Sequence, residues 1–298
     1  MKILGILGPT GVGKSATAVE VAKRLNLEIL SADSMQVYKD MNIGTAKVTK
    51  EEMQGIPHHM IDVVTPDVDF SVQDYCDGAV RSVAHLEDVV MAGGTGFYFD
   101  CLIYPLDFVG GEQTAEIRRE LQTIYQQFGR EKLWQMLSEM DHETFETIDR
   151  NNIKRVIRAL EIAMSGQKKS QGQGKRKCAF DHKLYVLTAD RQFLYENSDR
   201  RVDKMVRDGL VDEVAGILRK YNCRNSTSMQ AIGYKEIVSF LDGKCPLSEA
   251  IERLKINTRH YIKRQLTYFK RLDAQWIDVQ TFGGVEKVAD FIACDYKM

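Results

Sequence analysis

Residues Gly8 to Ser15 read GPTGVGKS and follow the apolar run Lys2–Leu7. A glycine-rich turn between a strand pattern and a helix pattern is the context in which a phosphate-binding loop is credible. Glycine backbone can wrap a phosphate with successive N–H groups, Lys14 adds a point charge, and the Ser15 hydroxyl is of the kind that ligates Mg²⁺. A helix beginning near Gly13 adds its positive end. A plain turn accounts for Gly8 and Gly11 but not for the ending Gly13-Lys14-Ser15. A pyrophosphate-bearing ligand is therefore expected on Gly8, Pro9, Thr10, Gly11, Val12, Gly13, Lys14 and Ser15.

Asp33 closes a second apolar run. It could be a general base, a Mg²⁺ ligand, or a helix N-cap with Ser34. A third run, Val89–Ala92, enters Gly93-Gly94, where a hydrolase would often carry a metal-holding Asp, so nucleotide-hydrolysis machinery is not evident. His58-His59 has no third ligand candidate and reads as structural. Cys76, Cys101, Cys178, Cys223, Cys245 and Cys294 lie far apart with no C-x-x-C, and read as reduced thiols.

These residues need a scaffold, and the chain supplies an α/β rhythm. Apolar runs at Ile3–Leu7, Glu28–Ala32, Met60–Val64, Val89–Ala92 and Leu184–Thr188 alternate with helical stretches, which predicts a doubly wound parallel sheet of the P-loop type. In such sheets ligands bind outside the carboxyl ends of the strands, so the three polar loops should meet at one crevice. From about Asp107 to Asp181 the strand rhythm stops, and Ile117, Leu121 and Ile124 are spaced for an apolar helix face. This predicts a helical insertion, residues 107–181, in a core of residues 1–106 and 182–298. The stretch from Gly166 to Lys177 is rich in Gly and Lys and is expected to be a mobile loop. In the last third, Ile262, Leu266 and Phe269 mark a buried stripe beside Arg259, Lys263, Thr267 and Lys270.

At 298 residues with 44% hydrophobic content the chain can bury a large core. No apolar stretch is long enough to span a membrane and no signal pattern opens the chain, so a cytoplasmic location and no membrane partner are expected. The net charge of −1 hides a division: residues 1–149 carry twelve Lys and Arg against twenty-four Asp and Glu, so the remainder is strongly basic. Residues 150–183 hold ten basic and two acidic side chains, and residues 253–271 hold seven basic and none acidic. A solvated face is the bland account; two dense runs in one half favour a phosphate polymer.

The segments GPTGVGKS, Asp33–Tyr38, Gly44–Lys47, Gly93–Tyr98, Arg155–Glu161, Ile232–Glu236 and Thr258–Thr267 resemble, in order and over nearly the whole chain, the motifs of bacterial tRNA dimethylallyltransferases. The resemblance implies transfer of a dimethylallyl group from dimethylallyl diphosphate to N6 of the adenosine 3′ of the anticodon, in tRNAs reading codons that begin with U. It implies Mg²⁺ as cofactor, the tRNA anticodon arm as partner, and a monomer. Asp33, Thr10 and Arg201 take catalytic roles by this resemblance: Asp33 as the base, Thr10 at the reacting end, Arg201 on the diphosphate. The segments expected on tRNA are Asp33, Ser34, Met35 and Gln36; Thr95 and Arg118; Lys154, Arg155, Val156, Ile157 and Arg158; Gln230, Ala231, Ile232, Gly233, Tyr234 and Lys235; and Lys263, Arg264, Gln265, Leu266, Thr267, Tyr268, Phe269 and Lys270. The chain departs from the family pattern at Asn197-Ser198, Gln230 and Tyr268. A nucleotide or metabolite kinase is the alternative, though it leaves the basic half without a use.

Overall fold

The computed structural model describes residues 1–105, 112–166 and 177–297, residues 112–115 by backbone alone. It divides into two compact units, one of residues 1–103 and 178–298, the other of residues 104–177.

The first unit is built on six strands: β1 (Lys2–Leu7), β2 (Ile29–Ser31), β3 (His58–His59), β4 (Asp88–Gly93), β5 (Asp181–Thr188) and β6 (Gln275–Asp278). They pair in the order β3-β2-β4-β1-β5-β6 and every pairing is parallel. Parallel strands buried on both faces read as continuous apolar runs, and β1 is such a run, with Ile3, Leu4, Ile6 and Leu7 fully buried. Each of those side chains contributes about 1.5–3 kcal/mol by leaving water. One face is covered by α1 (Lys14–Leu25) and α12 (Val285–Lys297), whose Val19, Ala22, Val288 and Ile292 pack in one cluster with Leu4 and Ile6. The chain also forms α2 (Lys50–Met53), α3 (Val72–Ser82) and α4 (Gly96–Ile103) before the second unit. After it come α8 (Arg191–Arg207), α9 (Leu210–Lys220), a 3₁₀ turn (Thr227–Gln230), α10 (Tyr234–Leu241) and α11 (Leu247–Phe269).

Because β2, β4 and β1 are neighbours, the loops that leave their carboxyl ends are neighbours too. The glycine loop, the Asp33 turn and Gly94-Thr95 therefore meet at one edge of the sheet. Two strands differ from the sequence expectation. The third pairs at His58–His59 rather than over Met60–Val64, because Met60 and Asp62 adopt φ of 62° and 55°, which no strand accommodates. Of that run only Val64 makes an isolated bridge, to Tyr38. The edge strand β6 was not expected at all: four residues beginning with Gln and ending with Asp carry no apolar run.

The second unit is helical. It holds α5 (Glu112–Met140), broken at Gly129 (φ 75°, ψ −173°), α6 (His142–Thr147) and α7 (Ile153–Met164). Leu121, Leu133 and Leu137 of α5 pack with Val156, Ile157, Ala159 and Leu160 of α7 as its core. Glu161 is fully buried there and takes Arg118 Nε at 2.5 Å and Arg158 Nη1 at 2.8 Å. These two ion pairs hold its carboxyl below the ordinary range, against the upward push of burial. Of the positions expected on tRNA, Lys154 and Arg155 are exposed, whereas Val156 and Ile157 are core, so their side chains serve packing. The Gly- and Lys-rich stretch falls, for residues 167–176, outside the described residues.

Candidate active site

The glycine loop leaves β1 and ends where Gly13, at φ 97°, starts α1. A residue with a Cβ would be strained in that left-handed conformation, and the turn is what aims the first N–H groups of α1 outward. Lys14 Nζ donates to the Pro9 carbonyl at 3.0 Å, folding the side chain back over its own loop. Burial first, then the nearby Arg201 charge, lowers the Lys14 amine to about 8, with Asp33 opposing. Ser15 is exposed at the second helical position. From α8, Asn197 Nδ2 donates to the Gly11 carbonyl at 3.2 Å, so the residue that departs from the family pattern braces this loop.

Asp33 lies in a turn, not at a helix start. Its Oδ1 accepts the Met35 N–H at 2.9 Å, closing an Asx turn, so the helix-cap reading of Asp33 is corrected. Its Oδ2 accepts no hydrogen bond from any described residue. The turn is pinned to the third loop, because Thr95 Oγ1 accepts the Ser34 N–H at 3.1 Å and the Thr95 N–H donates to the Ala32 carbonyl at 3.1 Å. The Asp33 charge is felt by Lys14, Arg201, Tyr75, Tyr98 and Tyr261, which places it amid all three loops and α11.

Arg201 projects from α8 into the same region. Its Nη2 donates to the Thr45 carbonyl at 3.3 Å, and its buried Nε has no partner. Burial pulls its pKa down from the usual very high value, while Asp33 pushes back. Two half-buried cations, Lys14 and Arg201, thus share one carboxylate. That is an imbalance an anionic ligand would relieve. A cavity of about 320 Å³ opens beside Arg201 and Asp33. Thr10, Asp33, Arg201, Lys235 and Arg264 are among its polar lining, and Met35, Val202, Met205, Ile232 and Leu254 among its apolar lining.

The loop that brings Thr45 to the cavity is held by a residue the sequence did not single out. Glu213 of α9 accepts the N–H groups of Asn42, Ile43 and Gly44 at 2.9, 2.7 and 3.1 Å. Tyr234 donates its hydroxyl to the same carboxylate at 2.7 Å and lies fully buried, with its ring against Gly44. Gln36 Nε2 reaches the Thr45 and Ala46 carbonyls at 3.4 Å, so it too serves this loop.

Along α11 the expectation was partly reversed. Lys263, Arg264, Thr267 and Lys270 are exposed and form the basic face. Gln265 and Phe269 are buried, and Leu266 packs against the core. The buried stripe runs through Leu254, Thr258, Ile262, Gln265 and Phe269. Tyr268 covers Gly96 with its ring and donates to Asp100 at 3.1 Å. Tyr234, Gly233, Gln265 and Phe269 are therefore corrected from RNA contacts to internal supports, while Gln230, Ala231, Ile232 and Lys235 line the cavity. Tyr261, Ser198, Val202, Met205 and Thr258 also line it and were missed, because neither charge nor glycine marks them. His59 bonds Glu28 at 2.6 Å, and no group of three or more His, Cys, Asp or Glu suited to a metal occurs among the described residues. No helix among them is long and apolar enough to cross a membrane.

The family model described as IPP transferase matches residues 36–272. A tRNA dimethylallyltransferase of Caldanaerobacter subterraneus subsp. tengcongensis is 42% identical over 98% of this chain and 96% of its own length. The crystal structure of the full-length tRNA isopentenylpyrophosphate transferase of Bacillus halodurans is 39% identical, covers 99% of this chain and 97% of that one, and superposes with a TM-score of 0.73. A eukaryotic dimethylallyltransferase described as acting on tRNA superposes with a TM-score of 0.79 at 27% identity, over 93% of this chain and 73% of that one.

Proposed function

The chain belongs to the IPP transferase family, and on that premise we propose that it transfers a dimethylallyl group from dimethylallyl diphosphate to tRNA. The acceptor is the exocyclic N6 of the adenosine 3′ of the anticodon, in tRNAs reading codons that begin with U. The observation that carries this reading is one cavity lined by Thr10 of the phosphate loop, the half-buried Arg201, Asp33 with a free carboxylate oxygen, and apolar side chains, with Lys14 on the same loop as Thr10. A prenyl diphosphate has an anionic head and an apolar tail, and those walls offer a place for each.

The bond to be broken joins C1 of the allyl group to the bridging diphosphate oxygen. As it lengthens, positive charge grows on the allyl carbon and negative charge on the diphosphate, and N6 of adenine closes on C1. The loop N–H groups, Lys14 and Arg201 meet the departing charge, and they are in place before the reaction begins. Asp33 Oδ2, free of other partners, takes the N6 proton as the C–N bond forms. The apolar side chains Val202, Met205 and Leu254 keep water from the electrophilic carbon. The acceptor base has to leave its stack to reach Asp33. Exposed Lys263, Arg264 and Lys270 suit the anticodon arm's phosphates.

Mg²⁺ suits the donor set. The ion is usually held by one or two protein oxygens and the substrate's phosphates, and the exposed Ser15 hydroxyl is such an oxygen. When bound it would neutralise diphosphate charge.

The test is incubation with radiolabelled dimethylallyl diphosphate and an anticodon stem-loop, followed by nucleoside mass spectrometry. A dimethylallyl adduct on N6 of the adenosine 3′ of the anticodon is expected. Transfer of phosphate from ATP with no prenylated nucleoside would overturn the reading.

A further inference from the structure

Helix α11 presents its basic face to solvent, yet its buried face carries a single amide that touches two of the three loops of the site. Gln265 is 4% exposed. Its Oε1 accepts the Thr10 N–H at 3.0 Å and lies 3.4 Å from Thr10 Oγ1, and its Nε2 donates to the Gly94 carbonyl at 3.0 Å. The fit is close: a Cβ at position 94 would stand 2.3 Å from Gln265 Nε2. Gly94 is followed directly in the chain by Thr95. Thr95 in turn holds the Ser34 N–H beside Asp33. A continuous path therefore runs from Thr10 in the phosphate loop, through the Gln265 amide to Gly94 and its neighbour Thr95, to the turn that carries Asp33.

We infer that Gln265 is a positioning residue for the transfer, fixing the distance between the diphosphate loop and the base turn by holding Thr10 against Gly94 and Thr95. The inference rests on the prenyl-transfer reading given above. The reaction joins a carbon tethered to the phosphate loop with a nitrogen whose proton goes to Asp33. The two loops must keep one spacing, and a misplacement of about 1 Å can cost on the order of 10²-fold in rate. The position requires one acceptor and one donor on a single planar group. A carboxylate supplies only the acceptor and sets its second oxygen against the Gly94 carbonyl, whereas a protonated carboxyl restores both functions.

The test uses the full chain with Gln265→Glu, Gln265→Met and Gly94→Ala, measured by single-turnover transfer to an anticodon stem-loop between pH 5.5 and 8.5, each scaled to its titrated active fraction. Gln265→Met should lower the transfer rate constant about 10- to 100-fold, while dissociation constants for dimethylallyl diphosphate and stem-loop change less than about threefold. Gly94→Ala should do the same, because the added methyl displaces the amide. Gln265→Glu should be slow at pH 8.5 and recover progressively toward pH 5.5 relative to the wild type at each pH. That recovery is a signature that simple space-filling would not give. A Gln265→Glu profile parallel to the wild type's, or a Gln265→Met variant with normal rate and weakened binding of both substrates, would overturn the inference. A wild type that transfers no prenyl group under these conditions would instead overturn the functional reading itself.

Discussion

The Lys14 amine lies in the field of the Arg201 guanidinium. Burial and that neighbour together hold the amine down to about 8, and only Asp33 works in the opposite direction. The pair is thus poised to take up a proton together with an anion.

A pH dependence of diphosphate binding follows from that pair. An anion on Lys14 raises its pKa above the value in the free protein, so the binding gain is fully present below about 8 and fades as pH rises through 8 toward the pKa in the complex. Titration calorimetry with inorganic pyrophosphate should show affinity falling by up to about tenfold per pH unit above that point. Lys14→Arg, charged throughout, should flatten the profile. A wild-type affinity that is constant from pH 7.5 to 10 would remove Lys14 from the anion site.

Asp33→Asn tests the base. The amide oxygen can still accept the Met35 N–H that closes the Asx turn, so the turn should survive. The substituted side chain cannot take a proton, and the single-turnover rate should fall by about 10² to 10⁴. Pyrophosphate affinity should not weaken, since the carboxylate that competes for Lys14 and Arg201 is gone. An unchanged rate would take Asp33 out of the mechanism, and recovery of the rate at high Mg²⁺ would recast it as a metal ligand.

The exposed face of α11 gives a salt-dependence prediction. Lys263→Ala with Lys270→Ala should weaken stem-loop binding and reduce the slope of log affinity against log salt by roughly 0.7 per lost phosphate contact. Pyrophosphate affinity should stay as in the wild type, because neither residue lines the cavity or bonds the phosphate loop. A slope equal to the wild type's would move the RNA contact to another face.

Glu213 predicts a stability effect away from the chemistry. Glu213→Ala removes the acceptor for three backbone N–H groups and the Tyr234 hydroxyl. With several charge-assisted bonds lost, a destabilisation of about 3 kcal/mol is expected. Urea denaturation followed by circular dichroism measures it, and a variant as stable as the wild type would show that water replaces the carboxylate without cost.

Local sequence was sufficient for the features that depend on residue type and short spacing. Gly13-Lys14-Ser15 after an apolar run specifies a phosphate loop, because few other needs call for that ending. The apolar runs of β1, β2, β4 and β5 specify buried parallel strands, and parallel strands bring the loops at their carboxyl ends together. Residues whose work depends on partners far along the chain were not legible in this way. Gln265 looks like one more polar side chain in a basic helix, yet its amide meets Thr10, 255 residues away. Tyr234 and Phe269 sit in motifs full of charge and are core all the same. Glu213 gives no local sign of the loop it clamps, and β6 exists only because β5 offers it an edge. A helix pattern tells which residues share a face, but which face is buried, and against what, is decided by the neighbours that packing supplies.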